Sequence, residues 1–393
     1  MSYDAPFAGL KVIDLSQGVA GPYCGMLLAQ HGADVIKVEP TGEGDWARTL
    51  GRRYSGHSAY SIPTNLGKRS IALDLKAAAG KEVLWRLIAG ADVLLEGFRP
   101  GVLDKLGFGY AAVSQREPRI LYLSVSGFGQ TGPFVGRPAM DPVLQAFTGL
   151  MMDNKGEDGI PHRVPFVVID MSTALYAFQA LSAALYARRD ETRGRHIAVS
   201  LLEAASAVQV IRMLMVYLEG EQVRRSMPSG VFRTADGWLQ FLVVRQDSWV
   251  KFCRIVLEAP ELAADPRFAD DEGRMSNEAA LMGIVRPAIA TRPTAYWAER
   301  LTEADIMHER LNGFREFLRQ PQAEALNLVT WLQPGTPEPI PIPNIAGLAP
   351  FAAGTPRGTT PVLGQHTREV LDEHGFAAAD IAGLIARKVV AQA

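Results

Sequence analysis

The stretch VPFVVIDMSTALYAFQALSAALYARR, from Val164 to Arg189, carries a single carboxylate, Asp170, between an apolar extended run and a long apolar helix. An Asp at a helix start commonly acts as the N-cap, accepting a backbone N–H for about 1 kcal/mol, and position alone slightly favours that role. A chemical role is compatible with it. Free N–H groups and the helix dipole favour negative charge there, and an Asp with an ordinary pKa of about 3.9 is ionised at neutral pH. Such a carboxylate can attack an activated acyl group without a partner base. The rest of the chain offers no competing nucleophile: SVSGFG lacks the leading glycine of a nucleophile elbow, and no Ser/His or Cys/His pairing stands out. Seven histidines, His31, His57, His162, His196, His308, His366 and His374, form no H-E-x-x-H or Cys/His cluster, so no metal site is expected.

Two further patterns concern ligands. The turn QGVAGPYCG places glycines at 18, 21 and 25, which is the wrong spacing for a dinucleotide fingerprint, although Glu39 stands at the right distance beyond it. Tight turning and close helix packing explain these glycines better than a nicotinamide or flavin site does. Basic residues Arg48, Arg52, Arg53, Lys68, Arg69, Lys76, Arg99, Lys105 and Arg137 fall mostly in loops after expected strands or in adjoining helices. Several of them could gather at one sheet edge to hold a polyphosphate, while each alone reads better as solvated surface.

The elements that must position these groups follow from the apolar pattern. GLKVIDLSQGVAGPYCGMLLAQHGADVIKVEP reads as a strand at Lys11–Leu15, a glycine-bearing turn, a helix from about Tyr23 to His31, and a strand at Asp34–Val38. The alternation continues through SIALDL, KEVLWRLIAGA, DVLLEGF, PGVLDKLG and RILYLSVSGFG. Strand–helix–strand units of this kind build a parallel sheet with right-handed crossovers, and near-continuous Val/Ile/Leu runs mean strands covered on both faces. The expected fold class is α/β: a Rossmann-like doubly wound parallel sheet in a large domain, residues 1–220, with a smaller α+β domain at 225–325. In the latter, GVFRTADGWLQFLVV carries a hairpin signal at Ala235, Asp236 and Gly237. Prolines in PGTPEPIPIPN favour a stiff extended connection, and residues 330–393 are expected to return to the large domain with short amphipathic helices.

With 393 residues, 48% of them hydrophobic, and a formal charge of −2 without basic runs, the chain has no electrostatic footprint for nucleic acid or an anionic membrane. No apolar run is expected to reach the ~20 residues of a membrane span. Only Cys24 and Cys253 are present, so a reducing, cytoplasmic setting is expected. Partners are expected among small molecules or a second copy of the chain.

Taken in order, GLKVIDLSQGVAGPYCGMLLAQHGADVIKVEP, NLGKRSIALDLK, DVLLEGFRPGVLDKLGFGY, SVSGFGQTGPF with MDPVLQAFTGL, VVIDMSTALYAFQALSAAL, and PIPNIAGLAPF with LGQHTREVLDEHGF resemble the class III CoA-transferases and their relatives, the α-methylacyl-CoA racemases. The formyl-CoA and carnitine CoA-transferases are of this kind. The resemblance implies CoA and acyl-CoA as substrate with no tightly bound cofactor, a carboxylic acid as co-substrate, an interlocked homodimer, and an aspartate that becomes acylated, which by motif is Asp170. It further implies CoA contacts from Gln17, Gly18, Val19 and Ala20, from Leu73 and Lys76, from Gly97 and Phe98, from Lys105 and Leu106, and from Arg137 and Met140. Two departures stand out. Gly97 replaces a common Asn, removing one side-chain hydrogen bond to CoA. Met140 stands where the racemases carry a histidine, and racemisation needs two acid/base groups facing one another, so a transferase is favoured over a racemase or a nucleotide-dependent oxidoreductase. Residues 240–330 match poorly. Within them Arg310 or Arg315 is a candidate for holding an acceptor carboxylate, although a solvated helix face is the simpler reading.

Overall fold

Apolar runs buried on both sides need helices on both sides, and a computed structural model of the chain, describing residues 5–156, 158–220 and 226–393, has that arrangement. Six parallel strands, β1 (Lys11–Asp14), β2 (Asp34–Glu39), β3 (Arg69–Leu73), β4 (Val93–Glu96), β5 (Leu121–Ser126) and β6 (Arg195–Ser200), lie in the order β3-β2-β1-β4-β5-β6. Successive residues of a strand face opposite sides of a sheet. Val12, Val35, Val93 and Leu121 accordingly pack on one side with Leu28 of helix α1 (Ala20–Gln30), while Ile13, Ile36, Leu94 and Tyr122 pack on the other with Leu84 and Leu87 of α2 (Ala78–Ile88). The chain leaves β1 toward β2 and later crosses back to lay β4 on the other side of β1. Ligands of open α/β sheets bind in the crevice at such a reversal, beyond the carboxyl ends of the strands.

Helix α1 starts at Ala20, three residues earlier than the apolar pattern suggests. Gly18, at φ +86°, turns the chain straight into it. Pro22 falls inside the first turn, where its missing N–H leaves no helical bond unmade. A Cβ on Gly21 would lie 2.4 Å from Ser16 Cβ, so only glycine lets helix and turn approach this closely.

Two helices complete the site's scaffold: α3 (Asp141–Phe147) and α4 (Val168–Ala187). The latter corrects one expectation, since by length and composition it is long and apolar enough to cross a membrane. One of its faces, with Ile169, Ala174, Ala177, Leu181 and Ala184, is buried in the core around Leu28.

The chain divides into two units, Met1–Val210 with Asn327–Ala393, and Ile211–Leu326. The boundary expected at 220–225 falls largely on residues 221–225, which lie outside the described residues. In the smaller unit β7 (Ser229–Arg233), β8 (Trp238–Leu242) and β9 (Met307–Arg310) form an antiparallel sheet. Its hairpin turn is pinned by Asp236, which accepts the backbone and hydroxyl hydrogens of Thr294. Stacked Phe232 and Phe241 lead into a core with Trp249, Phe252 and Trp297. Arg310 is therefore on a strand rather than a helix face, while Arg315 is on the short helix Phe314–Phe317.

The returning segment pairs β10 (Val329–Leu332) with β11 (Ile340–Pro343), so the proline-rich connection is half of a two-stranded ribbon. Prolines are tolerated in such edge strands because no further strand needs a backbone N–H at their positions. The last strand, β12 (Val390–Ala391), adds antiparallel to β3.

Candidate active site

The turn after β1 is built on buried charge. Asp14 accepts from the Ser16 backbone N–H and pairs with Lys68 at 2.7 Å, and Lys68 also donates to the Pro22 carbonyl. Lys37 pairs with Asp45 at 3.0 Å and donates to the Ser16 carbonyl, while Asp45 accepts the Gly18 N–H at 2.9 Å. Glu39 accepts from the Asp45 backbone N–H and from Arg48. All six charged groups are buried. Burial works against each charge, yet Asp45, Asp14 and Glu39 together hold Lys37 above its ordinary range, and Lys68 and Lys37 hold Asp14 below its own. Lys68 is the exception, since burial outweighs Asp14 and pulls it down to about 8. Removing one member of such a pair leaves an uncompensated buried charge, which typically costs about 3–5 kcal/mol. The network therefore fixes the backbone of residues 16–18.

Beyond this turn lies a cavity of about 480 Å³ lined by Gln17, Val19, Ala20, Gly97, Phe98, Arg137, Met140 and Asp170, with Trp46, Arg99, Ser126 and Gly127 among its other walls. A second cavity, of about 590 Å³, lies over the carboxyl ends of β1, β2 and β3 and is lined by Gln17, Leu73, Lys76, Phe98, Lys105 and Leu106. Gln17 and Phe98 belong to both, so the two cavities are neighbours that share walls at the reversal between β1 and β4. The structure thus gathers every residue carried over by motif except Gly18, which lines neither cavity and instead ties the turn to Asp45. At Gly97 a Cβ would approach Ser16 Cβ to 3.3 Å, so an asparagine there would press on the turn. The next N–H, of Phe98, is donated to Glu96 at 2.8 Å.

Asp170 is the third residue of α4, not its N-cap; that position is Val167, which supplies no side-chain bond. Asp141, the first residue of α3, does the capping from outside, with Oδ2 accepting the N–H groups of Ile169 at 2.7 Å and Asp170 at 3.1 Å. Gln145 steadies Asp141 by donating to Oδ1, and binds the Val164 backbone through both amide atoms. Burial first, and the nearby Asp141 charge second, push Asp170 up to about 7. The expectation of a fully ionised carboxylate at neutral pH is corrected accordingly. The helix start still favours the anion, but too little to offset desolvation.

The nine basic residues separate cleanly. Arg48 and Lys68 are internal partners of Glu39 and Asp14; Arg69 pairs with Asp34, Glu369 and Glu373; Arg53 pairs with Glu43; and Arg52 lies over Tyr54. Lys76, Arg99, Lys105 and Arg137 remain, and all four line the cavities. Arg137 sits over the rings of Phe128, Phe134 and Phe147 at 5.4, 5.4 and 5.8 Å. Among the described residues no histidine lines the cavity of Asp170, and no cluster of His, Cys, Asp or Glu could hold a metal ion. The reading of the sequence missed Asp141, Asp45 and Trp46. The only local signal was Asp141-Pro142, an acidic residue and a proline together at a helix start.

Residues 7–367 match CoA-transferase family III. The chain is 35% identical to the acetyl-CoA:oxalate CoA-transferase of Acetobacter aceti, covering 84% of this chain and 88% of that one. It is 31% identical to the human succinyl-CoA:glutarate CoA-transferase, covering 94% and 86%. The crystal structure of a CAIB/BAIF family protein from Brucella suis superposes with a TM-score of 0.84 at 29% identity, covering 94% of this chain and 100% of that one. A mostly parallel sheet with neighbouring cavities at its reversal point is an α/β architecture whose ligands bind beyond the strand ends; the chain belongs to CoA-transferase family III.

Proposed function

We propose that this protein moves CoA from an acyl-CoA donor to a carboxylic acid through an acyl-enzyme on Asp170. The observation that carries the reading is the position of Asp170 in a cavity that shares Gln17 and Phe98 as walls with one lined by Lys76 and Lys105. In this reading the two lysines face the phosphates of CoA, the pantetheine arm crosses Gln17 and Phe98, and the thioester reaches Asp170.

A carboxylate oxygen of Asp170 attacks the thioester carbon, and the C–S bond breaks to give a mixed anhydride and CoA thiolate. The thiolate then attacks the aspartyl carbonyl carbon and expels the donor acid as carboxylate, leaving an aspartyl-CoA thioester. The acceptor carboxylate attacks that carbon, displacing thiolate and forming a second anhydride. Thiolate attack on the acceptor acyl carbon yields the new acyl-CoA and restores the Asp170 carboxylate. No proton changes hands, which suits a cavity with Met140 and no lining histidine. Each tetrahedral oxyanion needs fixed donors, worth about 3 kcal/mol apiece; backbone N–H groups of the turns at Gly97 and Gly127 are assigned this role. The buried pair Lys37–Asp45 keeps the turn in place while these charges come and go.

The working form is assigned as a cytoplasmic homodimer. Ile211, Leu214, Tyr217 and Leu218, on the helix Val210–Glu219, are apolar and exposed, a surface suited to a second copy. Incubation with acyl-CoA followed by hydroxylamine tests the chemistry. A hydroxamate at Asp170, located by peptide mass spectrometry, is expected, and a label elsewhere overturns the mechanism.

A further inference from the structure

A third cavity, of about 410 Å³, is not used by the mechanism above. Val19, Tyr23 and Met26 line it from the turn and α1, Tyr60 and Leu66 from the segment before β3, and Phe166 and Met171 from the start of α4. Ile342 and Ile345 close it from the returning ribbon. Among the described residues no charged side chain lines it. Its place matters as much as its character. Val19 is a wall of this cavity and of the one holding Asp170, and the neighbours Asp170 and Met171 line one cavity each. Asp170 thus faces a cavity of mixed lining that carries Arg99 and Arg137, and the next residue of its helix faces a neighbouring cavity that is apolar.

Resting on the proposed transferase reading, we infer that this cavity takes the hydrocarbon body of the acyl group, and that the acid exchanged is an apolar monocarboxylic acid of medium chain length or with an aromatic ring. An apolar cavity of about 150 Å³ holds benzene, so 410 Å³ has room for a chain of roughly six to ten carbons or an aryl-alkyl group. A short dicarboxylate would place its second charge against Met26, Leu66 and Ile342 with no cation to pair it, and an unpaired charge in apolar surroundings is strongly disfavoured. Arg99 and Arg137 line the cavity of Asp170 and are not among the walls of this one.

The test compares acyl-CoA donors of two to ten carbons with succinyl-CoA and glutaryl-CoA, using the full chain. kcat/KM is expected to rise about fourfold per methylene until the cavity is filled, following the transfer free energy of a CH₂ group, with the dicarboxylic donors at least about a hundredfold below hexanoyl-CoA. Ala59, an exposed lining residue, allows the cavity to be narrowed without disturbing the core. Ala59→Phe should lower the ratio of hexanoyl to acetyl turnover about tenfold, with affinity for free CoA confirming a folded chain. A flat chain-length profile, or a preference for succinyl-CoA, overturns the inference. So does a change of oligomeric state in Ala59→Phe with no change in the ratio, which would make the cavity a seam between subunits. Hydroxylamine labelling with acetyl-CoA separates the two readings: label at Asp170 with a flat profile sinks only the apolar pocket, whereas no label at Asp170 with any donor sinks the transferase reading itself.

Discussion

Asp141 Oδ2 accepts the backbone N–H of Asp170 at 3.1 Å, so one carboxylate holds the peptide unit of another across 29 residues of chain. The arrangement anchors Asp170 while its like charge opposes ionisation. With Asp170 raised to about 7, its anion fraction grows as pH rises through that value. Acyl-enzyme formation, read as hydroxamate yield at short times, should increase between pH 6 and pH 8 with a midpoint near 7. Asp141→Asn keeps an accepting oxygen and removes the charge. Its midpoint should move to lower pH but stay above the ordinary carboxylate value, because burial is the larger cause.

Asp170→Asn separates chemistry from stability. Labelling and turnover should vanish, since an amide is a poor nucleophile, while no helix cap is lost. A carboxyl whose folded pKa lies above its ordinary 3.8 contributes its full stability below that value and loses it as pH rises through about 7. The Asn variant should therefore melt close to the wild type at pH 4 and above it at pH 8, by on the order of 2 °C. A variant that melts lower at pH 8 would contradict the burial assigned to this carboxyl.

Lys37 and Asp45 are both fully buried and paired at 3.0 Å. Lys37→Met and Asp45→Leu should each lose about 3 kcal/mol or more in urea denaturation, and the double variant should lose less than the sum. Additive losses would mean that the two charges are stabilised separately by their other neighbours.

Lys76→Ala and Lys105→Ala should each raise KM for acyl-CoA about fivefold with kcat nearly unchanged, the size expected for one exposed charge contact of ~1 kcal/mol. The difference from wild type should shrink in high salt. An equal fall in kcat would place these lysines in the chemical step.

Met140, which lines the cavity of Asp170, has no group that could act as a base. Incubation of 2-methylacyl-CoA in heavy water should give no enzyme-dependent deuterium uptake, and uptake at turnover rates would restore the racemase reading.

Much of the scaffold was legible because it is local: apolar runs at Lys11–Asp14, Asp34–Glu39 and Val93–Glu96 alternate with helical periods, and the order β3-β2-β1-β4-β5-β6 follows the expected doubly wound pattern. The grouping of Gln17, Leu73, Lys76, Phe98 and Asp170 was legible through ordered motifs. Asp141 was not, because its work is done on a helix that begins 27 residues later, and no spacing rule reaches that far. The raised pKa of Asp170 was likewise hidden, since desolvation depends on what packs around a side chain. Arg48 and Lys68 looked like surface charge until Glu39 and Asp14 were seen beside them.

The final strand has a consequence for biosynthesis. Val390 pairs with Leu73, and Gly364 and Thr367 bond the backbone and side chains of β3, so that edge of the sheet is closed by residues that are synthesised after Leu326. Translation proceeds at about 5–20 residues per second and domains fold as units while it does so. The contiguous stretch Ile211–Leu326 emerges whole before the larger unit can be finished. Throughout that interval β3 offers unpaired backbone groups to any passing strand, which is the hazard of an open sheet edge. Disrupting the pairing of Val390 and Ala391 with β3 would make that temporary exposure permanent and turn a nascent-chain risk into a property of the finished protein.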